Sequence, residues 1–192
     1  MLTRTFIALE MNNVQQGQLA ELIRQLALLM PGVRWVDPAG IHLTLAFLGE
    51  LDDEQLADAI QVAELAASQC SAFSYRLSRL GIFGAPEQPR VIWMGINEPS
   101  GSLQRLQRTL SRELARRGFE LDKRGFSPHL TLARVKAPLT SDEQQHLQRL
   151  LAGQQAGLVS AQSYQVNALY VMKSELFRTG ASYTCLRVCA LQ

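Results

Sequence analysis

The chain has 192 residues, of which 47% are apolar and 19% charged, with 19 Lys and Arg against 17 Asp and Glu for a net charge of +2. That composition excludes a disordered chain and allows a full core, as one domain or as two small lobes. So mild a charge excludes a surface densely built for polyanions, and any basic patch must be local. The apolar run in "MLTRTFIALE" is too short for a signal peptide, and no stretch approaches the length of a membrane span. Cys70, Cys185 and Cys189 form an odd set without a CxxC, which argues against a disulfide framework or structural zinc and for a reducing cytoplasm.

In chain order, "RTFIALE" reads as a strand. Asn12 or Asn13 then caps a helix whose apolar positions run from Leu19 through Leu22, Ile23 and Leu26 to Met30, stopping at Pro31-Gly32. A short extended piece, "VRWV", leads into the strand "HLTLAFLGE". Asp52 and Gln55 form the pattern of a capping box that opens a second helix, and "FSYRLSRLGIF" alternates as a strand. After a proline-bounded loop, "APEQP", the strand "VIWMGI" precedes a helix from about Ser100 to Arg117 that ends at Gly118. The strand "HLTLAR" follows. Thr140 or Ser141 caps a helix through Leu151, "YQVNALYVM" reads as one strand, and "SYTCLRVCAL" as the last, with Cys185 and Cys189 expected as buried thiols on one of its faces.

The tetrapeptide HLTL occurs at 42–45 and again at 129–132, and two of the three histidines lie in it. The offset, 129 − 42 = 87, also places Trp93 on Phe6, Leu147 on Ile60, Leu169 on Ile82 and Tyr170 on Phe83. Two copies of a strand, helix, strand, helix, strand unit account for this.

Within a strand, His42 and Thr44 share one face, as do His129 and Thr131, with same-face neighbours about 6.6 Å apart. If the copies pack with these faces together, two imidazoles and two hydroxyls converge. That set suits in-line displacement at a phosphodiester. One imidazole takes a proton from the nucleophile, the other protonates the leaving oxygen, and the hydroxyls hold the non-bridging oxygens. The same residues are also compatible with a non-catalytic nucleotide-binding module. A metal site is disfavoured by HxT spacing in place of HxH and by the lack of an evident carboxylate set.

The paired motifs, with their flanks "HLTLAFLGE" and "SPHLTLAR", the start "RTFIALE" and the late "LYVMKSEL", resemble the 2H phosphoesterase superfamily, in particular the bacterial RNA 2',3'-cyclic phosphodiesterases of the LigT-like, 2'-5' RNA ligase family. The resemblance implies an α+β bilobal fold with antiparallel sheets lining a central cleft and helices outside, in a single domain of two pseudo-symmetric lobes spanning 1–192. It implies hydrolysis of RNA 2',3'-cyclic phosphate ends, or of nucleotides carrying them, to 2'-phosphomonoesters, with reversible ATP-independent 2'-5' ligation, and neither a metal nor a cofactor. It makes His42 the proton donor and His129 the acceptor. Other cyclic phosphates or 2'-5' linkages remain alternative substrates, and no obligate protein partner or membrane is expected.

Around this core, strict alternation turns Arg134 away from His129, so it reaches a phosphate only if its strand bulges or ends there. Phe126, ahead of Trp35, Tyr170 and Tyr183, is the preferred residue to stack on a base. Lys123 and Arg124 are candidates for RNA backbone contact. Arg105, Arg108, Arg112 and Arg116 form a stripe expected to be solvated, and His146 is assigned no role.

Overall fold

The computed structural model describes residues 2–122, 125–153, 162–177 and 180–192. Lys123 and Arg124 lie outside the described residues. β1 (Thr3–Glu10) precedes α1 (Asn13–Leu29), β2 (Arg34–Trp35), a 3₁₀ turn (Pro38–Gly40) and β3 (His42–Leu51). α2 (Asp53–Ser68), β4 (Phe73–Ala85), β5 (Gln88–Asn97), α3 (Ser102–Arg116) and β6 (His129–Arg134) follow. α4 (Ser141–Leu151), β7 (Ser163–Val166), β8 (Ala168–Leu176) and β9 (Ala181–Ala190) complete the order.

Three of the four helices begin where the caps predict. The side chains of Asn12, Asp52 and Thr140 accept from the backbone of Gln15, Gln55 and Glu143, whose own side chains reach back to the cap N–H. α3 buries Leu103, Leu106, Leu110 and Leu114, and its four arginines at 105, 108, 112 and 116 are exposed as expected. Gly118, at φ +83°, ends it in the left-handed region that favours glycine.

The strands form two antiparallel sheets, one in the order β3-β1-β8-β9 and the other β2-β6-β5-β4-β7. The sheets and the two sequence copies do not coincide. β4, the last strand of the first copy, joins β5 and β6, while β8, the last strand of the second, joins β1 and β3. The helices cross over likewise. α3, which links β5 to β6, packs on α2 and β3, and α1, which links β1 to β2, donates from Gln15 to the Tyr75 hydroxyl of β4 at 2.6 Å. One apolar core, built from the helices and one face of each sheet, includes Leu43, Leu45, Leu130 and Leu132. A smaller cluster of Phe6, Ala8 and Met172, with Tyr170 and Tyr183 against it, lies on the other face of the first sheet. The result is a bilobal α+β fold with helices outside and a cleft between the sheets.

Three local expectations are corrected. The "APEQP" loop is a tight hairpin, because Ala85 already pairs with Gln88 across a turn at Pro86 and Glu87, and Gly84, at φ +107°, lies at the register shift just before it. "YQVNALYVM" is two strands broken at Asn167, with β7 paired to β4 and β8 to β1 in different sheets. Cys185 and Cys189 do not share a face. Arg187 pairs with Val171 and Cys185 with Met172, so Leu186 is an extra residue that inverts the alternation. Cys189 is buried and Cys185 exposed.

Tyr75 is almost fully buried, and burial pushes its hydroxyl up to about 12. Tyr75→Phe keeps the ring but leaves the buried Gln15 amide without this acceptor. Chemical denaturation is expected to show a loss of about 1 to 3 kcal/mol.

Candidate active site

Regular strands would have placed fewer of the predicted residues together. In β3, Ala8 pairs with Thr44 and Ile7 with Ala46, which leaves Leu45 as an extra residue. In β6, Trp93 pairs with Thr131 and Ile92 with Ala133, which leaves Leu132 extra. Leu45 and Leu132 are 87 residues apart, the offset of the repeat. Each bulge lets a Leu and the following Ala both enter the core. The next residue then returns to the face of the histidine and threonine. In β6 that residue is Arg134, so the condition for it to face the cleft is met. In β3 it is Phe47.

The two histidines are held alike. His42 Nδ1 is 2.8 Å from the Gly40 carbonyl, and His129 Nδ1 is 2.7 Å from the Ser127 carbonyl. A carbonyl only accepts, so in both rings Nδ1 carries the proton and Nε2 is free to exchange one. Both histidines and both threonines are half-buried. β3 and β6 approach each other although they belong to different sheets.

Each imidazole has an aromatic cradle. Phe6 stacks on His42 with centroids 4.6 Å apart, and Tyr183 meets it edge-on at 5.0 Å. Phe83 meets His129 edge-on at 4.8 Å, with Trp93 at 6.2 Å. Trp93 lies flat on the sheet because its cross-strand partner is Gly81, where an added Cβ would fall 2.2 Å from the indole. Its Nε1 is buried with no hydrogen-bond partner among the described residues, so packing alone holds the ring.

Burial lowers the pKa of His42 from the usual histidine value; the Gly40 carbonyl opposes this and the charge of Arg134 adds to it. Glu10, the cross-strand partner of His42, is raised by its own burial. The remaining sequence candidates divide by location. Tyr170 and Tyr183 pack on the cleft-side cluster, whereas Phe126 and Trp35 are partly buried against the main core. His146 is half-buried on α4. Sequence reasoning missed Phe6, Phe83 and Trp93 as neighbours of the histidines, although the alignment of Trp93 with Phe6 was a visible signal. It also missed Arg4, whose guanidinium lies 4.7 Å above the Phe47 ring. No group of three or more His, Cys, Asp or Glu among the described residues could hold a metal ion.

A model of the 2'-5' RNA ligase superfamily matches residues 17–176. The chain belongs to that family. An RNA 2',3'-cyclic phosphodiesterase of Thermotoga maritima is 35% identical over 133 residues, covering 69% of this chain and 70% of the relative. One from Aeropyrum pernix is 32% identical over 170 residues, covering 88% and 93%. Among solved structures, a Thermus thermophilus protein superposes with a TM-score of 0.81 at 26% identity over 98% of this chain and 97% of that one. E. coli LigT complexed with 3'-AMP gives 0.75 at 26% identity over 100% and 99%. No helix among the described residues is long and apolar enough to cross a membrane.

Gly81→Ala is expected to displace Trp93 and free His129 to tilt. Turnover should fall at least several-fold while the chain stays folded, as read by steady-state kinetics beside a thermal melt.

Proposed function

We propose that the protein is an RNA 2',3'-cyclic phosphodiesterase that opens the cyclic phosphate to a 2'-phosphomonoester by paired histidine catalysis. The observation that carries this reading is the duplicated histidine geometry: two half-buried imidazoles, each with Nδ1–H on the carbonyl two residues back and Nε2 free, on strands that meet across the cleft. The names of the curated relatives supply the substrate class.

In this mechanism His129 Nε2 takes a proton from water as the oxygen attacks phosphorus in line. His42 Nε2 gives its proton to the departing 3'-oxygen. Water thus supplies the new P–O bond, the 3'-ester bond breaks, and each histidine ends in the state the other began in. The Thr44 and Thr131 hydroxyls donate to non-bridging oxygens, and Arg134 offsets charge that develops on them. Replacing water by the 5'-hydroxyl of a second RNA gives a 2'-5' linkage without a nucleotide cofactor, because the strained cyclic ester already holds the energy. RNA ends and nucleotides with a 2',3'-cyclic phosphate are therefore the partners of this cleft. A donor histidine with a depressed pKa needs help to hold its proton, and the substrate's phosphate anion supplies it when bound.

His42→Ala and His129→Ala should each lower kcat/KM about 10²-fold or more with EDTA-insensitive residual activity. A substrate with sulfur as the 3'-leaving atom expels a thiolate that needs no proton, so it should rescue His42→Ala far more than His129→Ala. The opposite pattern reverses the roles, and near-wild-type turnover in either variant defeats the mechanism.

The pH profile of kcat/KM should be a bell, with the limb that His42 contributes below the ordinary histidine value. Removing the Arg134 charge makes the His42 imidazolium easier to form, so Arg134→Gln raises its pKa and moves that limb toward higher pH. A limb that stays in place or moves acidic contradicts the coupling.

A further inference from the structure

The arginine stripe of α3 meets two different surroundings along α2. The helices run antiparallel, and at one end of the pair Arg117, just past α3, is bonded to Asp58 and Gln61 of α2. At the other end α2 offers no carboxylate. Its last turn is Leu65-Ala66-Ala67-Ser68, and Glu64 before it is engaged by Arg187. A groove of about 770 Å³ opens there, with Arg105, Arg108, Arg112 and Thr109 on one wall and Ala66 and Gln69 on the other. Arg105 donates to the Ser100 carbonyl and the Ser102 hydroxyl at 3.0 and 2.8 Å, and Arg112 to Glu113 at 3.0 Å. The nearby Glu98 accepts from the backbone of Ser100 and Leu103 where α3 begins. Arg108 is exposed and makes no hydrogen bond or ion pair among the described residues. In a chain of net charge +2, the groove is a local excess of cations.

Its chemistry selects a ligand. Guanidinium forks and the hydroxyls of Ser71, Ser102 and Thr109 match phosphate oxygens. No aromatic side chain is among the described residues that line it, so a base finds nothing to stack on. From Arg105 to Arg112 the helix rises about 10 Å, so the three cations form a row suited to a chain of phosphates. Position adds to this. His42 opens β3, Glu10 closes β1, Ala168 opens β8 and Ala190 closes β9, and their pairing sets all four at one end of the first sheet. Just beyond β9, Gln192 donates to the Cys70 carbonyl at 2.9 Å and accepts from Ala72 at 2.7 Å, and Cys70 lines the groove. The groove thus opens at the end of the sheet that carries His42, on its helix side. A chain leaving the cleft past His42 and turning over that end meets the row of arginines.

We propose that this groove between α2 and α3 is an exosite for the phosphodiester backbone of single-stranded RNA, holding the chain that trails from the nucleotide in the cleft. It reads no sequence, because every contact it offers goes to phosphate. The preferred substrate is then an RNA end, with a free mononucleotide reaching only the cleft. This rests on the cyclic phosphodiesterase reading.

The test compares a short single-stranded RNA ending in a 2',3'-cyclic phosphate with adenosine 2',3'-cyclic phosphate, in wild type and in the triple variant Arg105→Gln, Arg108→Gln, Arg112→Gln. Wild type is expected to favour the RNA, and the triple variant to lose about ten-fold of that preference through KM, with mononucleotide turnover unchanged. The slope of log KM for RNA against log salt should fall by about 2, the share of three phosphate contacts. The triple Arg→Lys variant keeps the charge and should keep most of the preference. Should the glutamine variant lose mononucleotide turnover and so report damage to the fold, Arg108→Glu alone carries the same comparison at a side chain without a partner. An unchanged ratio and salt slope overturn the exosite, as does a wild type that turns over both substrates equally well. Polyglutamate that competes with the RNA as strongly as an unreactive RNA does assigns the groove to an acidic protein and overturns it too. A wild type inert toward both cyclic phosphates that still binds labelled RNA, with an anisotropy change that the three arginines control, defeats the catalytic reading and leaves the exosite standing.

Discussion

A strand that alternates strictly sends residues an odd number of positions apart to opposite faces, so a histidine and the residue five places later cannot both line a cleft. His42 with Phe47 and His129 with Arg134 are such pairs, and the single extra residue at Leu45 and at Leu132 brings each pair onto one face. Without the bulges Arg134 and Phe47 would enter the apolar core, where an unpaired guanidinium is severely unfavourable. A bulge leaves a carbonyl outside the ladder, and both carbonyls find donors from the opposite copy. Val36 N–H donates to Leu132 O at 2.9 Å, and Gln107 Nε2 donates to Leu45 O at 3.4 Å. Each copy therefore secures the bulge in the other's histidine strand.

The exchange of β4 and β8 between the sheets extends that dependence to the whole molecule. The cradle of His42 draws Phe6 from β1 and Tyr183 from β9; that of His129 draws Phe83 from β4 and Trp93 from β5. The His129 imidazole is thus flanked by strands of both copies, and that of His42 by a strand of the first copy and by the closing strand β9. Tyr183 also packs on Gly40, where an added Cβ would meet its ring at 3.2 Å, and the Gly40 carbonyl is the one that fixes the His42 tautomer. Packing and proton placement are linked through that one peptide.

Much of this was legible in the chain. The caps at Asn12, Asp52 and Thr140 were readable because capping is local chemistry within three residues. The HLTL pair was readable because repetition needs no three-dimensional knowledge. Bulges were harder. Their only trace is an apolar doublet, Leu45-Ala46 and Leu132-Ala133, which alternation treats as noise, and the facing of Arg134 depended on it. The same blindness misplaced Cys185, since the extra residue at Leu186 has no mark of its own. The break at Asn167 was hidden because "YQV" and "ALYVM" each alternate correctly, and only their pairing with different sheets separates them. The cradles were hard to read for a deeper reason: they join residues far apart in sequence that never share a strand, and the matched places of Phe6 and Trp93 were their one visible trace.

The repeat supplies two matched histidines, whereas the proposed acid–base mechanism needs them in unlike states, so under it the asymmetry must come from their surroundings. Identical sites would share one pKa, and the state with one donor and one acceptor would carry no preference for direction. The fold breaks this at few positions. Glu10 stands across from His42 where the offset places the uncharged Asn97, and Arg134, on the second copy's strand, acts on the first copy's histidine. Where the second copy carries that arginine, the first carries Phe47 under Arg4. The scaffold thus keeps the symmetric features, tautomer and bulge, in the backbone. The directional features lie in side chains that leave the backbone untouched, so direction can change without rebuilding the strands that hold the histidines.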